Sequence, residues 1–330
     1  MGEERLRLGI LGAARIAPDA LIRPAARSQR AEVVTIAARN PERARRFAEE
    51  HGIGRVDASY EALVRNPDVD AVYNPLPAGL HAEWTLAALD QGKHVLCEKP
   101  FASNASEAER MVAASRSSGL VLLEAFHYRY HPLTDRILEV VGEGVLGEIR
   151  RVEAAFCTPI PDQRDIRYDL SLGGGATMDL GCYPLHWSRV VTGSEPTVLR
   201  AEAREDPPGI DVAMTAELAF PGDVSCEVRC AMAADTALQV FLRVTGSEAE
   251  LIADNPLAPH IGHRLRVLTD GSGATERVEG RTTYDHQLDA FVAAALDGQE
   301  QPTGGGDAIA NMRTIDAVYR AAGMQPRGGS

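Results

Sequence analysis

The first 126 residues alternate apolar runs with helix-patterned segments, and no other feature restricts the fold as much. The runs are LRLGIL (6–11), VVTIAA (33–38), AVYNPL (71–76), HVLCE (94–98) and LVLLEAF (120–126). Between them helical periodicity covers residues 15–27, 41–51, 81–91 and 106–118, the last opened by a capping box from Ser106 to Glu109. Strands that are apolar on both faces and joined through helices are parallel and buried between layers. The pattern predicts an α/β fold that begins with a doubly wound sheet.

From about residue 150 the runs lengthen and alternate: RRVEAAFC, TVLRAEAR, DVAMTAELAF, DVSCEVRCAM, LQVFLRVTG and RLRVLT. Pro221-Gly222-Asp223 and Gly271-Ser272-Gly273 mark tight turns among them. Alternation with period two gives each strand one buried and one open face. These strands predict a large, mostly antiparallel, open-faced sheet, with helices at 175–191, 284–296 and 307–321 completing an α+β domain. A chain of 330 residues accommodates two domains of roughly 100 to 200 residues, which we place at 1–126 and 127–330.

Composition narrows the function. A chain that is 45% hydrophobic and 25% charged is globular, and its one low-complexity stretch, the glycine-rich run 327–330, confines expected disorder to the ends. Lys and Arg number 34 against 47 Asp and Glu, a formal net charge of −13. With no basic stripe interleaved with aromatics, nucleic acid and anionic membranes are repelled, and the expected ligand is small. Met1-Gly2-Glu3-Glu4-Arg5 is acidic where a secretory leader is basic, Arg15 interrupts the first apolar stretch, and Leu6 stands where N-myristoylation at Gly2 wants Ser or Thr. Five scattered cysteines fit a reducing compartment, and the chain reads as cytoplasmic. Cys226 and Cys230 share one face of a strand at roughly 13 Å, too far for a zinc ion with Zn–S bonds of about 2.3 Å, so no metal is expected.

The first strand runs into GILGAARIA. A dinucleotide needs a tight turn, close backbone approach to its pyrophosphate, and amides at a helix N-terminus. Gly12 supplies the turn, Ala14 the approach and Ala17 the close helix packing, and Gly9, Ala13, Arg15 and Ile16 complete the expected cofactor loop. In this position the motif marks a Rossmann domain. The second strand ends in Ala37-Ala38-Arg39-Asn40, so Ala38 stands where an NAD-binding chain carries the acid for the ribose 2′-hydroxyl. Arg39, or Arg43 one helical turn on, suits a 2′-phosphate instead, which predicts NADP with NAD as second choice. Asn74-Pro75-Leu76-Pro77 forms a rigid turn at the carboxyl edge of the next strand, with Asn74 and Leu76 near the expected nicotinamide. His81, opening the following helix, is a cap, a packing residue or a cofactor contact.

GGGATMDLGCYPLHW (173–187) is the richest stretch of the second half. Helical from about Ala176, it places Asp179 and Tyr183 on one face at i and i+4, with His186 nearby and Gly181 allowing close backbone approach.

Together the glycine turn, Glu98-Lys99-Pro100 at a strand end, the GGGxxxDxGxY segment and the late helix DAIANMRTIDAVYRAA resemble the Gfo/Idh/MocA family of nicotinamide-dependent oxidoreductases. The likeness spans residues 6–322. AVYNPLPAGLH and LEAFHYRYHP are most similar to the branch holding dimeric dihydrodiol dehydrogenase, glucose-fructose oxidoreductase and NADP-dependent aldose dehydrogenases. That branch has tyrosine, here Tyr183, where inositol dehydrogenases have histidine.

The resemblance implies Lys99, Asp179 and Tyr183 as the catalytic set of an enzyme moving a hydride between nicotinamide and a hydroxyl or carbonyl carbon of a sugar or cyclic diol. Tyr183 would be the acid/base, Lys99 would stabilise its phenolate and the oxyanion, and Asp179 would orient both. Pro100 ends a buried strand at its carboxyl edge and directs Lys99 toward ligand instead of bulk water, while Glu98 offsets the lysine charge or holds a cofactor amide. The family often has this Lys-Pro bond in cis. Arg129, Tyr130, Arg167, Tyr168 and His186 are expected to line the sugar pocket. Ala38 and Ala14 depart from residues common in the family, a serine and a glycine. A ketoreductase of nucleotide-linked sugars is the alternative enzyme. A non-catalytic sensor is the alternative of another class, disfavoured because all three catalytic residues are present. The strands from Thr197 to Thr269 leave one sheet face uncovered and, we expect, apolar, which predicts a homodimer or homotetramer.

Overall fold

The structure is a computed structural model that describes residues 4–328; Gly2 and the last two residues of the glycine-rich run lie outside the described residues. It comprises two compact units, one made of residues up to Arg129 with Tyr284–Ile309, the other of Tyr130–Thr283 with residues from Ala310 onward.

In the first unit β1 (Leu6–Leu11), β2 (Ala31–Ala37), β3 (Ala71–Asn74), β4 (His94–Cys97) and β5 (Leu122–Glu124) form a sheet in the order β2-β1-β3-β4-β5. All its pairings are parallel, as strands apolar on both faces require. The strand order reverses between β1 and β3, and ligands bind such sheets at the carboxyl ends flanking the reversal. Helices α1 (Arg23–Arg27), α2 (Pro41–His51), α3 (Tyr60–Val64), α4 (His81–Asp90) and α5 (Ala105–Ser118) lie between the strands. In α2 the Asn40 side chain accepts the Arg43 amide, Pro41 opens the first turn, and Gly52 ends the helix at φ 69°.

Two local expectations are corrected here. The helix expected from Arg15 begins with a single π turn, Pro18–Ile22, that runs into α1. The cap of α5 is Asn104, not Ser106: its side chain accepts the Glu107 amide at 3.0 Å, and Glu107 accepts the Ser103 amide at 3.0 Å. Both registers offer a polar residue followed three places on by glutamate. The helix that Asn104 opens starts two residues earlier and adds Ala105 to the buried face of Ala108, Met111 and Val112.

The second unit opens with α6 (Pro132–Gly142) and carries a sheet of β6 (Ile149–Cys157), β7 (Thr197–Glu205), β8 (Asp211–Phe220), β9 (Val224–Ala231), β10 (Gln239–Gly246), β11 (Glu250–Asp254), β12 (Arg264–Leu268) and β13 (Thr275–Glu276). Their order is β13-β12-β11-β10-β6-β9-β8-β7, antiparallel except for the β6–β9 pair. β11 escapes a period-two reading because Leu251, Ile252 and Ala253 are all buried. A π turn, Thr177–Gly181, leads into α7 (Cys182–Thr192), and the two pack against β6 and β9. The buried pairs Val152 with Cys226 and Ala154 with Val228 lie along these central strands.

The face expected to be apolar is a charged lattice. Arg151 pairs with Glu153 at 3.2 Å and Glu227 at 3.6 Å, Arg243 with Glu153 and Glu250 at 3.5 Å each, and Arg266 with Asp254 at 3.1 Å. Arg229 lies over the Phe241 ring at 5.9 Å. The buried alternate positions supply the apolar runs, and the positions between them include Arg151, Glu153, Glu227, Arg229, Arg243, Glu250 and Arg266.

Helix α8 (Thr283–Asp297) packs with the first unit from Tyr284 on, although a boundary at 126 assigns it to the second. Leu288, Phe291 and Val292 join Leu8, Ile10 and Leu21 in one core, each contributing about 1.5–3 kcal/mol of burial. Arg27 and Arg30 add ion pairs to Asp285 and Asp297 at 2.6 and 2.7 Å. In α9 (Gly305–Ala321), Met312, Ile315 and Tyr319 are buried, and Asn311 donates to the Cys182 carbonyl at 3.4 Å. Arg327, in the run expected to be disordered, is buried against Asp211. Buried partners distant in sequence override the glycine-rich composition around it.

Candidate active site

β1 ends in Gly12, whose φ of +88° suits glycine. Its amide donates to the Ala37 carbonyl at 2.7 Å, tying the turn to the end of β2, and a Cβ on it would lie 2.9 Å from the Leu76 side chain. Gly9 has a packing reason of its own inside β1, where a Cβ would approach Leu63 to 2.8 Å. Ala13 is buried and Ala14 half-buried, whereas Arg15 and Ile16 are exposed. The two arginines after β2 differ. Arg43 donates to the Ala13 carbonyl at 2.7 Å and braces the glycine turn, while Arg39 is exposed and has no hydrogen bond or ion pair among the described residues.

The turns after β3 and β4 are locked together. Asn74 is buried, its amide donating to the His81 carbonyl at 3.3 Å and to Thr85 at 3.2 Å, and its carbonyl accepts the Glu98 amide at 3.0 Å. His81, 1% exposed, sets Nε2 2.6 Å from the Leu76 carbonyl and Nδ1 2.9 Å from the Pro100 carbonyl. Burial drives its pKa down to about 4 against the pull of those carbonyls, so at neutral pH the ring carries one N–H and donates to one of the two. It joins the Leu76 turn to the Lys99–Pro100 turn, whose peptide bond is cis.

Glu98 accepts from the Tyr73 hydroxyl at 2.8 Å and from the Lys99 amide at 3.2 Å. Tyr73 is a site residue that pattern reading missed, since it sits in a core strand and is fully buried. Its signal is the hydroxyl itself, which needs a partner when buried. Tyr284, also missed, lies 4.3 Å ring to ring from His127. Burial pushes its phenol pKa up, and Glu98 and Asp19 push the same way.

In the second unit Gly175 stands at φ +135°, and its amide donates to the Arg167 carbonyl at 2.9 Å. The π turn that follows holds Asp179, and the first turn of α7 holds Tyr183. Arg167 binds the Asp179 carboxylate and reaches Asp165 at 2.9 Å. Burial works against the Arg167 charge, but Asp179 and Asp165 prevail and raise its pKa. The Tyr183 ring meets Phe156 edge-on at 5.7 Å and lies 6.1 Å from Trp187. Tyr168 donates its hydroxyl to the Ile160 carbonyl at 2.7 Å, and His186 is buried. Arg129 closes the first unit and Tyr130 opens the second, both half-buried.

The first unit thus carries a lysine just after the end of β4, and the second a phenol one helical turn on from a carboxylate that an arginine binds. The Cys226 and Cys230 thiols lie against Ser188 at 3.4 Å and Thr177 at 3.9 Å, and no grouping of described residues is arranged to hold a metal ion. No helix of the described residues is long and apolar enough to cross a membrane.

Residues 6–126 match the GFO/IDH/MocA oxidoreductase family profile for its NAD-binding Rossmann fold, and residues 134–252 match the GFO/IDH/MocA C-terminal domain. D-xylose 1-dehydrogenase (NADP(+)) 2 of Haloferax volcanii is 37% identical over 321 residues, covering 96% of this chain and 97% of the relative. dTDP-3,4-didehydro-2,6-dideoxy-alpha-D-glucose 3-reductase of Streptomyces violaceoruber is 37% identical over 331 residues, covering 96% and 95%. The crystal structure of a 3-ketoreductase from Actinomadura kijaniata with NADP and TDP-benzene aligns with a TM-score of 0.90 at 31% identity, covering 96% of this chain and 98% of that one.

Proposed function

The chain belongs to the GFO/IDH/MocA oxidoreductase family, and on that premise we propose that it interconverts a hydroxyl and a carbonyl carbon on a sugar or cyclic diol, preferring NADP. The observation that carries this reading is Lys99 at the carboxyl end of β4, one strand from the β1–β3 reversal of an NAD-binding domain. The site suits a phosphorylated dinucleotide: Gly12 opens a cradle that a side chain would fill, and Arg39 is an exposed guanidinium with no ion pair among the described residues. NADP, when bound, supplies or accepts the hydride. Gly12, Ala13, Ala14, Arg15 and Ile16 make up the loop for its pyrophosphate, Gly9 being packed inside β1 against Leu63 rather than in the loop, and Arg39 pairs with its 2′-phosphate. Arg43 acts through the Ala13 carbonyl, and Asn74, Leu76, His81 and Glu98 shape the nicotinamide end.

Tyr183 exchanges the proton of the substrate oxygen at its phenol. Lys99 donates to that oxygen and favours the phenolate, and Asp179, restrained by Arg167, orients the substrate hydroxyl. Arg129, Tyr130, Tyr168 and His186 border the sugar. The first unit serves as the cofactor domain and the second as the domain for substrate and self-association. The Arg and Glu side chains on the open face of the second unit offer both signs of charge to a second copy of the chain, which suits a homodimer or homotetramer. A cytoplasmic enzyme with no nucleic-acid partner fits the acidic charge.

A nucleotide-linked sugar is the second reading. It is favoured by the dTDP-sugar reductase relative and by Ile166 and Leu170, which flank Arg167 and are 51% and 50% exposed, apolar ground for a nucleobase. The test is a screen of aldoses, inositols, trans-dihydrodiols and nucleotide sugars, read at the reduced-nicotinamide absorbance. Turnover of a free sugar or diol supports the first reading, turnover confined to nucleotide sugars the second, and none at all overturns both.

A further inference from the structure

Asp211, Tyr319 and Arg327 form a buried polar cluster, 0%, 0% and 3% exposed, that the proposed chemistry does not use. The Tyr319 hydroxyl and an Arg327 Nη both donate to Asp211 Oδ1, at 2.9 and 2.5 Å, and the guanidinium lies 4.3 Å over the Tyr319 ring. Burial raises the Asp211 pKa, and Arg327, Thr177 and Tyr319 oppose that rise. Taking both charges out of water is costly, and packed apolar side chains would hold a core as well. The cluster's value therefore lies in the geometry it imposes.

Two further hydrogen bonds of the cluster converge on one turn. Asp211 Oδ2 accepts the Thr177 amide at 2.7 Å, and Arg327 Nε donates to the Gly174 carbonyl at 2.7 Å. A Cβ on Gly175 would lie 2.1 Å from Asp211 Oδ1 and 2.7 Å from the Arg327 guanidinium, so the turn and the cluster fit without spare room. Across the turn, the Gly174 and Gly175 amides donate to the Asp169 and Arg167 carbonyls at 2.9 Å each. The chain leaves this turn directly into the segment that bears Asp179 and Tyr183.

We propose that Arg327 is a positioning residue: with Asp211 it fixes the turn at 174–177 and thereby sets the placement of Asp179 and Tyr183. The proposal rests on the reading of those two residues as the reacting groups. The test compares the full-length native chain with Arg327→Ala, with and without millimolar guanidinium ion, by hydrogen exchange of the peptides covering 173–183, NADPH affinity, and kcat and KM on the sugar that the screen identifies. Arg327→Ala should speed exchange in 173–183, lower kcat roughly ten- to a hundredfold as misplacement does, and leave NADPH affinity unchanged. Guanidinium ion should restore part of both exchange protection and kcat, a rescue that general destabilisation does not allow. Should Arg327→Ala fail to fold, Tyr319→Phe, which removes one donor and keeps the ion pair, should show the same changes on a smaller scale. Unchanged exchange in 173–183, exchange that rises evenly across the second unit, or faster local exchange with native kcat would each overturn the proposal. Normal turnover by Tyr183→Phe would instead overturn the reading of the reacting groups, while the exchange result would still decide whether Arg327 holds the turn.

Discussion

The Arg43 guanidinium donates to the Ala13 carbonyl at 2.7 Å, so the second arginine after β2 braces the glycine turn, and Arg39 beside it has no ion pair among the described residues. Arg39→Ala should weaken NADP binding roughly ten- to a hundredfold and barely change NAD, as expected for one lost charge-assisted phosphate contact. Arg43→Ala should weaken both cofactors alike, because it loosens a turn that both need. Equilibrium titrations of the two variants with each cofactor check this, and equal losses of NADP and NAD in Arg39→Ala would contradict it.

His81 gives the fold an acid-side weakness. Its pKa in the folded chain, about 4, lies below the ordinary 6.5, so between those values the unfolded chain binds more protons. Its stabilising contribution is complete above pH 6.5 and is lost as pH falls toward 4, by about 3 kcal/mol in all. His81→Asn should lose less stability than the native chain between about pH 7 and about pH 4.5. Urea unfolding at the two pH values measures the difference, and parallel losses in both proteins would rule out His81 as the source.

Gly175→Ala should be among the most damaging single-methyl changes in the chain. The position holds φ +135°, and the new Cβ would fall 2.1 Å from the Asp211 carboxylate. Backbone strain and overpacking together cost about 3 kcal/mol or more. A melting temperature within a degree or two of native would show that the turn relaxes freely.

Sequence periodicity revealed the parallel sheet, the bounds of α2, and β8 to its terminal residues, because strands buried on both faces and a helix with Asn40, Pro41 and Gly52 at its ends carry their signals locally. The roles proposed for Lys99, Asp179 and Tyr183 rest on the family resemblance of the motifs that carry them. Hidden were the features that depend on partners far along the chain. Nothing near Arg327 announces Asp211, and nothing in α8 says which core Leu288 and Phe291 will join. Arg39 and Arg43 look interchangeable until a backbone carbonyl claims one of them. The open sheet face was misread because buried alternate residues dominate the apolar count, while the charged residues between them define the surface.

That charged face carries a prediction about assembly. The native chain should scatter light as a dimer or tetramer at micromolar concentration. Arg243→Glu, which sets a third carboxylate beside Glu153 and Glu250, should shift the mass toward monomer. A native monomer at that concentration would exclude self-association through this face.

The central claim, that Tyr183 moves the proton, is tested most directly by the turnover of Tyr183→Phe on the substrate found by the screen, measured beside Lys99→Met. The account predicts that Tyr183→Phe lowers kcat by ~10²- to 10⁴-fold with NADP affinity nearly unchanged. Lys99→Met should cost about as much, and the double variant little more than either alone. Near-native turnover by Tyr183→Phe, with activity abolished in Lys99→Met, would contradict the account and make the lysine the proton-transfer group.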